Sequence, residues 1–178
     1  EKLPKKGAFV LVSNHVTNVD ALAMAYFVYV NLKRAPHFLA KGSLFKVPVV
    51  GPVLRAAGQI PVYRGGQRND EPLRAAHAYL DAGHCISIFP EGTRKAPGAE
   101  PDYKPGVAAL YRDLNLECSL IATNSGVHWP AKGVLRRPGT VVFEFLEPLP
   151  AGLRRGEFMK EMQIRIEAAT NALLAEGI

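Results

Sequence analysis

The sequence predicts a single α/β domain spanning 1–178, with a mostly parallel central sheet covered by helices on both faces. Two observations carry this. Short apolar, β-branched runs alternate with longer helix-like stretches, and alternation of that kind implies βαβ units. The chain of 178 residues is also long enough to bury one substantial core, and it shows no repeat, linker or low-complexity segment.

Each element follows in order. Ala8 to Ser13 reads as the first strand, and Asn18 to Leu32 as a helix ended near Pro36. Its apolar part, Ala21 to Val30, is too short to span a membrane and reads as a buried helix. His37 to Ala40 is a brief strand. Ser43 to Ala57 is helical but interrupted by Pro48, Gly51 and Pro52, so it is expected in pieces. Gln59 to Tyr63 is a strand. Asn69-Asp70-Glu71-Pro72 starts a helix that runs to Ala82 and stops at Gly83. Cys85 to Phe89 is a strand, Lys95 to Lys104 a loop, and Pro105 opens a helix through Leu114. Ser119 to Thr123 and Thr140 to Leu146 are further strands. Glu157 to Ala175 closes the chain as an amphipathic helix with Phe158, Met162, Ile166, Ala169 and Leu173 on one face.

Composition narrows the class. Cys85 and Cys118 are too few and too far apart for a zinc framework and read as buried thiols. No H-E-x-x-H and no Cys/His cluster suggests a metal. The usual nucleotide-phosphate loops are missing as well. Net charge is +6, and from Lys33 to Arg68 there are seven cations and no acid. This stretch is either a solvated basic face or, because apolar residues are mixed with the cations, a surface for an anionic membrane. No nucleic-acid-binding motif accompanies it, so nucleic acid is not an expected partner.

Two short motifs carry the chemistry. In Asn14-His15-Val16-Thr17-Asn18-Val19-Asp20 a histidine follows a strand, and a carboxylate lies five residues on. Such a pair can deprotonate a hydroxyl near neutral pH. Asp20 also stands where a helix cap or first-turn acid would stand, and His15 could be a strand-end histidine bonded to backbone. The second motif is Phe89-Pro90-Glu91-Gly92-Thr93-Arg94, in which Gly, Thr and Arg can hold a phosphate. Both motifs follow strands, where an open α/β sheet places its sites.

With Gly58-Gln59-Ile60-Pro61-Val62-Tyr63-Arg64 between them, these blocks make the chain resemble the glycerolipid acyltransferases of the lysophosphatidic acid acyltransferase superfamily. That family carries N-H-x-x-x-x-D, G-x-I-x-x-x-R and F-P-E-G-T-R in this order. A fourth, looser block is Leu120-Ile121-Ala122-Thr123-Asn124-Ser125-Gly126. The resemblance implies transfer of a fatty acyl group from acyl-CoA or acyl carrier protein to the sn-2 hydroxyl of 1-acylglycerol-3-phosphate, giving phosphatidic acid. It implies no cofactor beyond that co-substrate.

In this reading His15 is the base and Asp20 orients it. Arg94 and Arg64 are the leading phosphate ligands, with Lys41 as a further candidate. Gly92 supplies close approach and Thr93 a hydroxyl; Glu91, repelled by phosphate, orients Arg94 or a loop amide. Ser13 points away from His15, which favours direct attack by the substrate hydroxyl over an acyl-enzyme. Asn14 sets the turn, and Asn18 is either a helix cap or a site residue. His37, His77, His84 and His128 read as structural. The expected location is peripheral, on the cytoplasmic face of a membrane. Rivals are the same chemistry on glycerol-3-phosphate or another lysolipid, a thioesterase, and a non-catalytic lipid-binding module.

Overall fold

Strand β1 (Phe9–Ser13) is the centre of the architecture, and all five of its residues are buried. It pairs in parallel with β4 (Cys85–Ile88) on one side and β5 (Cys118–Thr123) on the other. The computed structural model describes residues 3–4, 6–17, 19–63, 70–130 and 134–176. With β2 (Pro36–Lys41), β3 (Ile60–Val62) and β6 (Phe143–Phe145), the sheet has six strands in the order β3-β2-β4-β1-β5-β6. Only the β5–β6 pair within it is antiparallel.

The helices are α1 (Asp20–Leu32), α2 (Val50–Ala56), α3 (Glu71–Asp81), α4 (Gly106–Leu114), α5 (Ser125–His128) and α6 (Arg155–Ala175). Side chains alternate across each strand, so the central strands feed two cores. Val10, Val12, Ile86, Ile88 and Leu120 pack against α3, α4 and α6. Phe9, Leu11, Cys85 and Ile121 face the other way, against Met24 and Val28 of α1. Both faces are therefore covered, as the alternating pattern predicts. Fully burying each such side chain is worth about 1.5–3 kcal/mol. Cys85 and Cys118 are both free and buried.

Several expectations needed adjustment. The stretch read as Ser43 to Ala57 is a 3₁₀ turn (Gly42–Lys46) and then α2, separated where Pro48 removes an amide donor. Val49, which precedes α2, has φ 68° and is 77% exposed, an unusual backbone state for a β-branched residue. The α6 stripe runs through Phe158, Met162, Ile166, Thr170 and Leu173, so Thr170 occupies the place expected of Ala169. Helix α1 is buried on one side only: Leu22 is 73% exposed, and Tyr26, Tyr29 and Val30 are exposed with it. Its length separates it from a spanning helix but does not say how many of its faces are covered. Arg34 does not belong to a solvated basic face, since its guanidinium donates to the carbonyls of Gly7 and Gly83. No described helix is long and apolar enough to cross a membrane.

The topology also places the site. The connection leaving β1 passes through α1 on one face, while that leaving β4 passes through α4 on the other. Adjacent parallel strands whose connections diverge open a crevice at their carboxyl ends. Asn14 and His15 follow β1, and Phe89 to Arg94 follow β4, so the two motifs meet there.

Candidate active site

Asn14 fastens the end of β1 to β5. Its Nδ2 donates to the Thr123 carbonyl at 3.0 Å, and its Oδ1 accepts from the Thr123 amide at 2.9 Å. A side-chain amide thus takes the place of one more residue in the β ladder. The turn noted in the sequence as set by Asn14 is set through a strand 109 residues away.

His15 Nδ1 lies 3.0 Å from Asp20 Oδ2. The imidazole is 20% exposed and the carboxylate 0%. Its ring stacks on Phe89, with centroids 4.1 Å apart and planes inclined by 19°. The Asp20 carboxylate also accepts from the Val16 amide at 2.8 Å and the Thr17 amide at 2.7 Å. Thr17 Oγ1 donates to its other oxygen at 2.8 Å, and so does Ser125 Oγ at 2.6 Å. Asp20 is thus both first residue of α1 and the centre of the turn, which combines the two readings its position allowed.

Burial pushes the Asp20 carboxyl up, but hydrogen bonds from His15, Ser125 and Thr17 outweigh it and hold the group below its ordinary value. An ionised Asp20 can only accept, so His15 carries its proton on Nδ1 and presents the Nε2 lone pair outward.

Glu91 meets His15 at its backbone and is 3% exposed. Its Oε1 accepts the His15 backbone amide at 3.0 Å, while Oε2 has no partner among the described residues. The loop amide that Glu91 orients is therefore that of the proposed base. Burial raises its carboxyl to about 7; the His15 amide opposes this, and Glu167 and Asp20 add to it. A cavity of about 30 Å³ lies behind it, lined among others by Asn14, Val16, Lys95, Glu167 and Thr170. The loop is tied back to β1 by the Lys95 amide, which donates to the His15 carbonyl at 2.8 Å.

Past Glu91 the loop turns outward. Gly92 has φ 62°, a left-handed state that glycine adopts without strain, and its amide donates to the Phe89 carbonyl. Thr93 and Arg94 are exposed on this loop. Lys41 is exposed at the end of β2, next to β4 on the same sheet edge. Arg64 and Asn18 lie outside the described residues. Ser13 Oγ is turned to the Asn14 carbonyl and is buried, so it does not approach as a nucleophile. His37 bonds the Gly58 carbonyl and stacks on Tyr79, and His128 bonds the Pro138 carbonyl; both are structural. Among the described residues no group of three or more His, Cys, Asp or Glu could hold a metal.

Sequence reasoning missed Thr17, Phe89 and Ser125. Thr17 had a signal, lying inside the His15–Asp20 block. Ser125 had only its place in the looser fourth block.

The chain is 28% identical over 162 residues to a 1-acyl-sn-glycerol-3-phosphate acyltransferase of Borreliella burgdorferi, covering 90% of this chain and 63% of that protein. It is 26% identical over 178 residues to the Pseudomonas aeruginosa protein of the same name, covering 99% and 67%. Against the chloroplastic LPAT1 of Arabidopsis thaliana it is 27% identical over 140 residues, covering 76% of this chain and only 38% of that protein. The chain thus spans about two thirds of the bacterial relatives' length and less of the plant one. In fold it is similar to the LPA acyltransferase PlsC of Thermotoga maritima, with TM-score 0.76 and 24% identity, covering 98% of this chain and 69% of that one. A family model described as Acyltransferase matches residues 1–126, and on that match the chain belongs to the acyltransferase family.

Proposed function

We propose that this chain is the catalytic domain of a 1-acylglycerol-3-phosphate O-acyltransferase, using acyl-CoA or acyl carrier protein as donor and yielding phosphatidic acid. The observation that carries the reading is His15, held through Nδ1 by a buried, ionised Asp20 at 3.0 Å. Nε2 takes the proton of the sn-2 hydroxyl as its oxygen attacks the thioester carbonyl. The tetrahedral intermediate collapses with loss of the C–S bond, and the imidazolium returns the proton to the departing thiolate. No acyl-enzyme is needed, in keeping with the burial of Ser13.

The acceptor's phosphate is read by Arg94 and Lys41 along the same carboxyl edge of the sheet, with Arg64 as a further ligand. Arg94 follows β4, Lys41 ends β2, and Arg64 follows β3 in sequence. Neighbouring strands lie about 4.8 Å apart, so the end of β2 is roughly 10 Å from that of β1. That span suits a glycerol phosphate with its hydroxyl at His15. Thr93 adds a hydroxyl and Gly92 allows close approach.

The site opens toward an anionic membrane on its cytoplasmic face. Leu44, Val47, Val49, Val50 and Val53 are exposed beside Lys46 and Arg55, so cations and apolar side chains share one surface. An acyl-transfer assay over phosphorylated and non-phosphorylated acceptors tests the whole reading. The expected result is phosphatidic acid from 1-acylglycerol-3-phosphate, lost in His15→Ala. Release of free acid without an acceptor would make the protein a thioesterase, and full turnover by His15→Ala would remove His15 as the base.

A further inference from the structure

We infer that Ser125, at the start of α5, is a positioning residue that sets the working state of the His15–Asp20 pair from across the sheet; the inference rests on the reading of His15 as the base. Its hydroxyl donates to Asp20 Oδ1 at 2.6 Å, a short charge-assisted contact between fully buried groups. The two residues are 105 positions apart and are joined by no shared element.

The rest of the network explains why a hydroxyl is needed there. Oδ2 is taken by His15, Val16 and Thr17, all from one short turn. Oδ1 is met by two hydroxyl donors, Thr17 Oγ1 and Ser125 Oγ. Thr17 travels with the turn, so Ser125 is the contact that references the carboxylate to the body of the sheet. Its own placement is fixed, since its amide donates to Thr123 Oγ1 at 3.1 Å and Thr123 is locked to Asn14. Adding a Cβ at Gly126, the next residue, would meet Pro97 and Val16 at 2.9 and 3.0 Å, so this segment packs directly beneath the catalytic turn.

Two consequences follow from removing the hydroxyl. Asp20 can rotate, which loosens the bond that fixes the His15 tautomer and lowers kcat. Its Oδ1 is left with Thr17 Oγ1, a donor that moves with the turn, so the carboxylate is no longer held against β5. The other titratable groups around the pair are Glu91 and Lys95 on the β4 loop, Tyr103 beyond it and Glu167 on α6. The Ser125 hydroxyl is given to Asp20, so these groups are common to wild type and variant.

The test compares Ser125→Ala with Ser125→Thr in the full chain. In Ser125→Ala kcat is expected to fall about tenfold with the acceptor KM unchanged. Ser125→Thr, which restores a hydroxyl, should recover most of the loss. NMR of the His15 ring nitrogens gives the same comparison without turnover, the Nδ1–H tautomer losing population in Ser125→Ala and regaining it in Ser125→Thr. An unchanged tautomer in Ser125→Ala, or a loss of activity that only tracks melting temperature, overturns the inference about Ser125. A wild-type chain without acyl transfer whose tautomer still changes in Ser125→Ala would instead remove the proposed reaction and leave the positioning role standing.

Discussion

Two carboxylates lie against His15, both nearly sealed from solvent, and they are shifted in opposite directions. Asp20, on the β1–α1 turn, is ringed by amides and hydroxyls and is held below its ordinary value. Glu91, on the β4 loop, receives one amide from His15, keeps one oxygen with no partner among the described residues and rises to about 7. Burial penalises the charged form in both, so what separates them is the number of donors supplied. Below about pH 7 the arrangement leaves one firm negative charge beside the imidazole. A second charge, at Glu91, would be buried without the donors that surround Asp20.

The contrast can be broken most severely at Asp20. Asp20→Asn removes the acceptor that selects the Nδ1–H tautomer, and kcat should fall by about 10²–10⁴-fold. Steady-state kinetics on the variant checks this; near-normal kcat would mean that the turn, and not the charge, is what Asp20 provides.

The next effect is on stability. Glu91 binds its proton more tightly folded than unfolded, so its contribution is fully present below pH 4.5 and is lost as pH rises through about 7. The difference between those two values corresponds to about 3 kcal/mol. Glu91→Gln keeps an oxygen for the His15 amide and removes that slope. Chemical denaturation at pH 5 and pH 8 should show wild type losing stability across the interval and the variant losing much less. Asp20 acts in the other direction, its contribution being present above pH 3.8 and lost as pH falls through its lowered value.

A smaller effect separates charge at the reaction centre from charge on the loop outside it. Arg94→Ala should raise the acceptor KM by about 10–100-fold, because a charge-assisted contact is worth about 1.5–3 kcal/mol. An unchanged KM, or equal activity on a dephosphorylated acceptor, would remove phosphate recognition from this loop. The smallest effect lies furthest from the pair. Replacing Lys46 with Gln and both Val49 and Val53 with Ser should weaken binding to anionic vesicles severalfold, while turnover of a soluble short-chain acceptor stays unchanged. Salt should weaken the wild-type binding, since exposed charges are screened beyond about 8–10 Å.

The first of the two carboxylates was legible in the sequence and the second only in part. The five-residue spacing from His15 to Asp20 is a local relation, and a local turn realises it. Glu91 could be argued away from the phosphate by repulsion alone, but which amide it met depended on how β4 sits beside β1. Ser125 was out of reach for the same reason, since its partner is set by the β1–β5 register. The alternation of strands and helices gave the layers correctly. It could not say that α1 would leave Leu22 and Tyr26 exposed, because a helix apolar on every side carries no directional signal. Helix α5 is four residues long and gives no periodicity to read.

The central place of β1 has a consequence for how the molecule comes into being. Its neighbours β4 and β5 are synthesised long after it, and the Asn14–Thr123 clasp closes a loop of 109 residues. Contacts of such long sequence separation form late and slow the search for the native state. The histidine and its carboxylate are made 105 or more positions ahead of Ser125, yet the donors that complete their surroundings arrive only when β5 docks. A nascent chain therefore carries this pair across that whole stretch without the contacts that fix it.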